Sequence, residues 1–177
     1  MKRAHETHRE AGPKKLGFYV ITVSSSRFVQ KSRRQPVTDE SGDAAVRMIK
    51  RARHSVVGRE LIDDDQRMIV DALNDGLRND GADVVVFTGG TGLSQRDVTV
   101  DAVKPLFEKE IEGFGEIMRA VSYKKIGSPA MLTRATAGLI SRKVVVCLPG
   151  SPDAVETGLR LLIGELPHMV YVARKKG

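Results

Sequence analysis

Three glycines and two threonines occupy five consecutive positions, Thr88-Gly89-Gly90-Thr91-Gly92, directly after the apolar run Val84-Val85-Val86-Phe87. Glycine adopts positive φ without steric cost, so such a turn can aim successive backbone N–H groups at one point. A threonine hydroxyl adds a further donor. That chemistry suits an anion, and phosphate above all. The turn has no following Lys of the Walker type, and it departs from the Gly-x-Gly-x-x-Gly spacing of dinucleotide binders. Taken alone, it reads with equal weight as a tight strand-to-helix connection.

Two carboxylates shift that balance. Asp64 lies in Asp63-Asp64-Asp65-Gln66, and Asp97 follows Arg96 shortly after the glycines. Side by side at a phosphate site they would repel it unless a cation lay between. Mg²⁺ suits that place, because it binds through one or two carboxylates together with phosphate oxygens and water. The competing roles are helix caps for the three aspartates and a cap or an Arg96 pair for Asp97. Arg27, Lys31, Arg33 and Arg34 supply either a clasp for a triphosphate or a solvated basic loop. His5, His8, His54 and His168 have no metal-ligand spacing. No Ser-His-Asp or Cys-His signature is present.

The elements that must position these residues alternate. Leu16–Val23, Asp83–Thr88 and Lys143–Leu148 are apolar runs of strand length without alternation, as expected of strands buried on both faces, and Ser55–Ile62 is a further strand candidate. Helical spacing marks about 40–53, with Asp39 as N-cap, 66–79 and 153–166. Residues 101–107 and 116–125 read as helical, and 130–140 as helix or strand. Phe28–Thr38 reads as a mobile loop after the polar turn Ser24-Ser25-Ser26-Arg27, and Met169–Ala173 as a last short strand. This order predicts a three-layer α/β/α domain with a mostly parallel central sheet, ligands binding at the C-terminal ends of the strands. The loops 24–27, 63–66, 88–97 and 149–153 all fall there.

Composition bounds the function. The chain has 177 residues, 41% hydrophobic and 29% charged, which suits one domain with a real core at residues 16–172. No apolar run approaches the roughly 20 residues that span a bilayer. Residues 1–15 lack the apolar stretch of a secretory signal. The single Cys147 excludes an internal disulfide, and its apolar surroundings make it a small buried residue. A cytoplasmic location follows as the expectation. The net charge of +7 is concentrated at the ends. Residues 1–15 and 173–177 carry +3 each and read as basic tails, which leaves +1 for the domain and argues against a nucleic-acid groove.

Four segments together resemble one family. Thr88 to Thr99 closely resembles the signature of the molybdenum-cofactor biosynthesis MoaB/Mog family. Leu61-Ile62-Asp63-Asp64-Asp65-Gln66 resembles its acidic turn, Gly113-Phe114-Gly115-Glu116-Ile117-Met118-Arg119 its Gly-Phe-Gly-Glu segment, and Leu148-Pro149-Gly150-Ser151-Pro152 its Leu-Pro-Gly-x-Pro loop. The resemblance spans about residues 16–166, with the four motifs in register.

The resemblance implies a molybdopterin-binding fold, assembled as a homo-oligomer, a trimer or hexamer. It implies a reaction in which ATP and molybdopterin give adenylyl-molybdopterin and pyrophosphate with Mg²⁺, the product passing to a downstream metal-insertion protein. By motif position, Asp64 and Asp97 correspond to the family's essential acidic pair and to the Mg²⁺ ligands. Thr88, Gly89, Gly90, Thr91 and Gly92 would hold the pterin phosphate or pyranopterin end. Ser24, Ser25, Gly115, Glu116, Gly150, Ser151 and Pro152 would complete the substrate pocket. One departure is visible: Ser25 stands where the family often has Asp. It motivates an alternative, a molybdopterin carrier that does not use ATP.

Overall fold

The structure, a computed structural model, describes residues 12–175. Chain order is β1 (Gly17–Val23), α1 (Ser25–Ser32), α2 (Glu40–Arg51), β2 (Ser55–Ile62), α3 (Gln66–Arg78), β3 (Val84–Thr88) and α4 (Thr99–Val103). A 3₁₀ turn at Lys104–Leu106, β4 (Lys109–Glu110), α5 (Glu112–Ile126) and a second 3₁₀ turn at Ser128–Leu132 follow. The chain then forms β5 (Thr136–Ile140), β6 (Lys143–Leu148), α6 (Pro152–Leu162) and α7 (Leu166–Arg174).

The six strands form one sheet in the order β2-β1-β3-β6-β5-β4. β2, β1, β3 and β6 run parallel. β5 pairs antiparallel with both β6 and β4, so the sheet is mixed. The β5–β6 hairpin turns on Ser141 and Arg142, both at positive φ (49° and 62°), the geometry of a two-residue primed turn.

The absence of alternation in the parallel strands has a direct cause. Phe18 and Val20 of β1, Val84 and Val86 of β3, and Val144, Val146 and Leu148 of β6 pack with Ala45, Ile49, Met118 and Leu159 on one face. Ile21, Val85, Phe87, Val145 and Cys147 pack with Ile69, Leu73, Val100 and Val103 on the other. Each strand therefore sits between two helical layers, as a parallel sheet requires. Cys147 is fully buried, and that burial pushes its thiol pKa far up, which leaves it unreactive.

Several expectations need correction. Ser25–Ser32, expected as a polar turn entering a mobile loop, is a helix. No residue of it is buried, so it has no apolar period to read. Arg27 Nε donates to Thr38 O at 2.9 Å, and Lys31 Nζ to Leu61 O at 3.4 Å. These two cations therefore brace the backbone. Met169–Ala173, expected as a strand, lies in α7. Its buried residues, Leu166 and Val170, are four apart, a helical spacing that residues 169–173 alone do not show. Residues 130–140 divide into a 3₁₀ turn and strand β5. Of the two basic ends, residues 1–11 and 176–177 lie outside the described residues. Arg174, counted in the C-terminal tail, ends α7 and pairs with Asp83 at 2.5 Å.

Candidate active site

The sheet order reverses beside β1. The chain goes from β1 outward to β2, then returns to the other side of β1 as β3. A cleft opens at such a switch point because neighbouring loops leave in opposite directions. It has a volume of about 600 Å³ here, and its walls are Val23–Ser26, Asp64, Gly89–Gly92, Arg96, Asp97, Leu132, Thr133, Pro149 and Gly150. All four loops expected at the strand ends contribute to it.

Two positions of the glycine turn demand glycine. Gly89 and Gly90 have φ of 98° and 63°. A Cβ on Gly89 would lie 2.2 Å from Val23 O. A Cβ on Gly90 would lie 2.2 Å from Thr99 Oγ1 and 2.8 Å from Asp64 Oδ1. The bare backbone thus lets the turn close down on the first strand and on the acidic loop together.

Asp64 is half-buried and fixed on one side only. Its Oδ2 accepts from the backbone N–H of Ser25 at 2.7 Å and from Ser25 Oγ at 3.0 Å. α1 has no acidic residue in its first turn and no side-chain cap from Ser24. The Asp64 carboxylate, arriving from the loop after β2, takes the anion position at that helix N-terminus. Ser25 therefore does something an aspartate side chain could not: its hydroxyl donates to Asp64. Asp64 Oδ1 has no hydrogen bond among the described residues and faces the Gly90 turn. Asp97 is similar. Its Oδ2 accepts from Ser94 N–H at 2.9 Å, and Oδ1 has no hydrogen bond among the described residues. A Cβ on Gly92 would stand 2.7 Å from Asp97 Oδ2, so the third glycine lets that carboxylate fold back over the turn.

Residues 19–168 match the family described as the probable molybdopterin binding domain. The chain belongs to that family. The Bacillus cereus molybdenum cofactor biosynthesis protein B is 40% identical over 166 residues, 93% of this chain and 94% of that one. The Pyrococcus furiosus molybdopterin adenylyltransferase is 40% identical over 174 residues, 96% of this chain and 98% of that one. The crystal structure of the tungsten cofactor synthesizing protein MoaB from Pyrococcus furiosus superimposes with a TM-score of 0.81 at 40% identity, covering 92% of this chain and 99% of that one.

Within this molybdopterin-binding domain, the cleft gathers Ser24, Ser25, Asp64, Gly89, Gly90, Thr91, Gly92, Asp97 and Gly150. Five other expected residues stand elsewhere. Thr88 is fully buried at the end of β3, and its Oγ1 lies 3.5 Å from Thr22 Oγ1 and 3.4 Å from Ser41 Oγ. Ser151 is the N-cap of α6, accepting from Ala154 N–H at 3.3 Å, and Pro152 is that helix's first residue. Gly115 lines a second, smaller cavity. Glu116 is exposed on α5 and lines neither cavity.

Leu132 and Thr133 enter the cleft from the 3₁₀ turn before β5, a segment with no readable period in the sequence. Arg134 was also silent there; its Nη1 donates to Gly92 O at 3.2 Å and its Nη2 meets Asp101 at 2.5 Å, bracing the glycine turn from behind. Thr99 Oγ1 is buried without a hydrogen-bond partner among the described residues. Nothing but its nearness to the glycine motif in sequence pointed to it.

Proposed function

We propose that this protein takes part in molybdenum or tungsten cofactor biosynthesis as a nucleotidyltransferase, adenylylating molybdopterin with ATP. One observation carries the reading: a positive-φ glycine turn and two carboxylates, each with one oxygen free of donors, line the same cleft. The activity named for the Pyrococcus furiosus relative supports it. In the reaction an oxygen of molybdopterin's terminal phosphate attacks the α-phosphorus of ATP. The bond from that phosphorus to the β-bridging oxygen breaks, and pyrophosphate leaves.

Both partners are anions, so catalysis falls to positioning and charge neutralisation. The N–H groups of residues 90–92 hold and orient a phosphate, the Gly89 N–H being taken by Leu148 O at 3.0 Å, and Ser25 keeps Asp64 turned toward it. The donor set fits Mg²⁺. Among the described residues no group of three or more His, Cys, Asp or Glu could hold a metal ion, so the cation would share the free oxygens of Asp64 and Asp97 with phosphate oxygens and water. Bound there, Mg²⁺ supplies charge neutralisation for the phosphates. Ser25 supports the catalytic reading over a carrier that ignores ATP, because its hydroxyl orients a carboxylate that a phosphate-only site would not need.

The proposal extends to assembly as a trimer or hexamer, release to a metal-insertion protein, and work in the cytoplasm. No helix among the described residues is long and apolar enough to cross a membrane. Ile117, Tyr123, Ile126, Met131 and Leu132 are exposed along α5 and the turn after it, a surface that a second copy would cover. The test is to incubate the protein with ATP, Mg²⁺ and molybdopterin and follow pyrophosphate and adenylylated pterin. Product is expected from the wild type, with a drop on the order of 100-fold or more for Asp97→Asn. Equal rates in the two proteins would end the reading.

A further inference from the structure

A second cavity of about 290 Å³ adjoins the cleft, and Thr133 lines both. Its charged lining consists of Lys104, Glu110, Glu112, Arg119 and Arg134. Most of these groups are already matched. Arg134 is held by Gly92 O and Asp101. Lys104 lies 2.8 Å from Glu110, which also accepts from Thr136 Oγ1 at 3.1 Å. The Lys104 ammonium beside it holds the Glu110 carboxyl below the usual carboxylate range. Glu112 stands exposed in the first turn of α5.

Arg119 is different. It is half-buried and has neither a hydrogen bond nor an ion pair among the described residues. Its position follows from Gly115, one helical turn earlier. A Cβ on Gly115 would lie 2.9 Å from Ala135 O and 3.1 Å from Arg119 Nη1. The glycine brings α5 close to the chain entering β5, and the guanidinium folds back over that gap into the cavity. A guanidinium offers five N–H donors and no acceptor, and its planar fork matches the paired oxygens of a phosphate. Left unmatched in a partly enclosed polar cavity, it is a group awaiting an oxyanion.

We infer that this cavity is a subsite for the polyphosphate tail of a nucleoside triphosphate, with Arg119 gripping the β- and γ-phosphate oxygens. The inference rests on the adenylyltransferase reading, in which the α-phosphorus lies in the main cleft and the other two phosphates leave as pyrophosphate. It also answers a need that the fold exposed: Arg27 and Lys31, the cations nearest the first strand, brace backbone carbonyls. Arg134 ties the cavity wall to Gly92 O, so the tail subsite and the glycine turn share one support.

The test compares ATP with AMP by calorimetry on the full chain. Arg119→Ala should weaken ATP and inorganic pyrophosphate at least 10-fold and leave AMP unchanged. Arg119→Lys, which keeps the charge without the fork, should fall between. Arg119 has no hydrogen bond or ion pair among the described residues for the fold to lose, and a thermal melt of each variant checks that it still folds; if the alanine protein does not fold, the lysine protein carries the comparison. Equal loss of ATP and AMP, or no loss of either, overturns the subsite. So does a change confined to the molybdopterin KM, which would place the pterin in the cavity. A wild type that transfers no adenylyl group, yet shows the Arg119-dependent difference between ATP and AMP, would remove the adenylyltransferase reading and keep the subsite.

Discussion

Two aspartates at the same edge of the sheet have opposite surroundings. Asp39 Oδ2 accepts from Thr22 Oγ1 at 2.8 Å and Arg59 Nη2 at 2.7 Å; its Oδ1 accepts from Gly42 N–H at 3.0 Å and Ser41 Oγ at 3.3 Å. Both oxygens are matched, and the cluster ties the end of β1 to α2 and β2. Among the described residues Asp64 has donors on Oδ2 only, both from Ser25, and its other oxygen faces the cleft. A fully matched carboxylate stabilises a fold. A carboxylate fixed on one side and open on the other is oriented for something that is not part of the chain. The same division separates Thr88, in the matched cluster, from Gly89 one residue later, in the open one.

The largest effect expected from this contrast is on Asp64. Asp64→Asn keeps the shape and removes the charge, so adenylyl transfer should fall on the order of 100-fold or more, with the melting temperature moving by only a few degrees. Initial rates beside a thermal melt decide it. A melt that collapses while the residual rate per folded molecule stays high would make Asp64 a structural cap like its neighbour.

Asp39 should behave in the opposite way. Asp39→Ala leaves Arg59 with one carboxylate, Asp43 at 2.7 Å, and the backbone carbonyl of residue 39 at 3.3 Å, and it deletes the α2 N-cap. A stability loss of about 2–3 kcal/mol follows from the lost cap and charged hydrogen bonds, with the rate per folded molecule nearly unchanged. Burial alone would raise the Asp39 pKa, but the hydrogen bonds from Arg59, Gly42 N–H and Thr22 outweigh it and hold it below the ordinary carboxylate value. With the folded pKa below the unfolded one, about 3.9, the stabilisation is fully present above pH 4 or so. It is lost as pH falls through the lower folded value. Denaturant melts of wild type and Asp39→Ala should therefore converge on acidification, and a gap that stays constant would contradict the assignment.

Much of this arrangement was legible in the sequence. The unalternating strands, the three glycines and the two acidic turns mark positions that burial and backbone geometry dictate locally. The positive φ of Gly89 and Gly90 and the Asp39 cap are local demands of that sort. What stayed hidden depends on partners far along the chain. α1 has no buried face, so nothing in its composition announces a helix. Its N-terminus is capped by Asp64, 39 residues away. Thr88 and Glu116 fall within motifs that resemble family signatures, yet one is buried within the sheet at the end of β3 and the other faces solvent. Arg119 ends such a motif, and only the approach of Ala135 to Gly115 shows which way it turns.

The smallest predicted effect on stability sharpens the contrast most. Thr99 Oγ1 is buried, has no hydrogen-bond partner among the described residues, and lies against the same Cα of Gly90 that Asp64 Oδ1 faces. If the hydroxyl served only the fold, its removal would be an improvement, since a buried hydroxyl without a hydrogen bond carries a desolvation cost of about 1–3 kcal/mol. Thr99→Val, which keeps the shape, should therefore leave stability unchanged or raise it by up to about 1 kcal/mol. The same change should lower adenylyl transfer about 10-fold if the hydroxyl donates to Asp64 or to a bound phosphate. Thr99→Ser should restore the rate without the gain in stability, because it returns the donor. The measurement is the pair of melts and rates for the two variants. A valine protein that is both as active as wild type and more stable would move Thr99 out of the open cluster, and Asp64 would then be oriented by Ser25 alone.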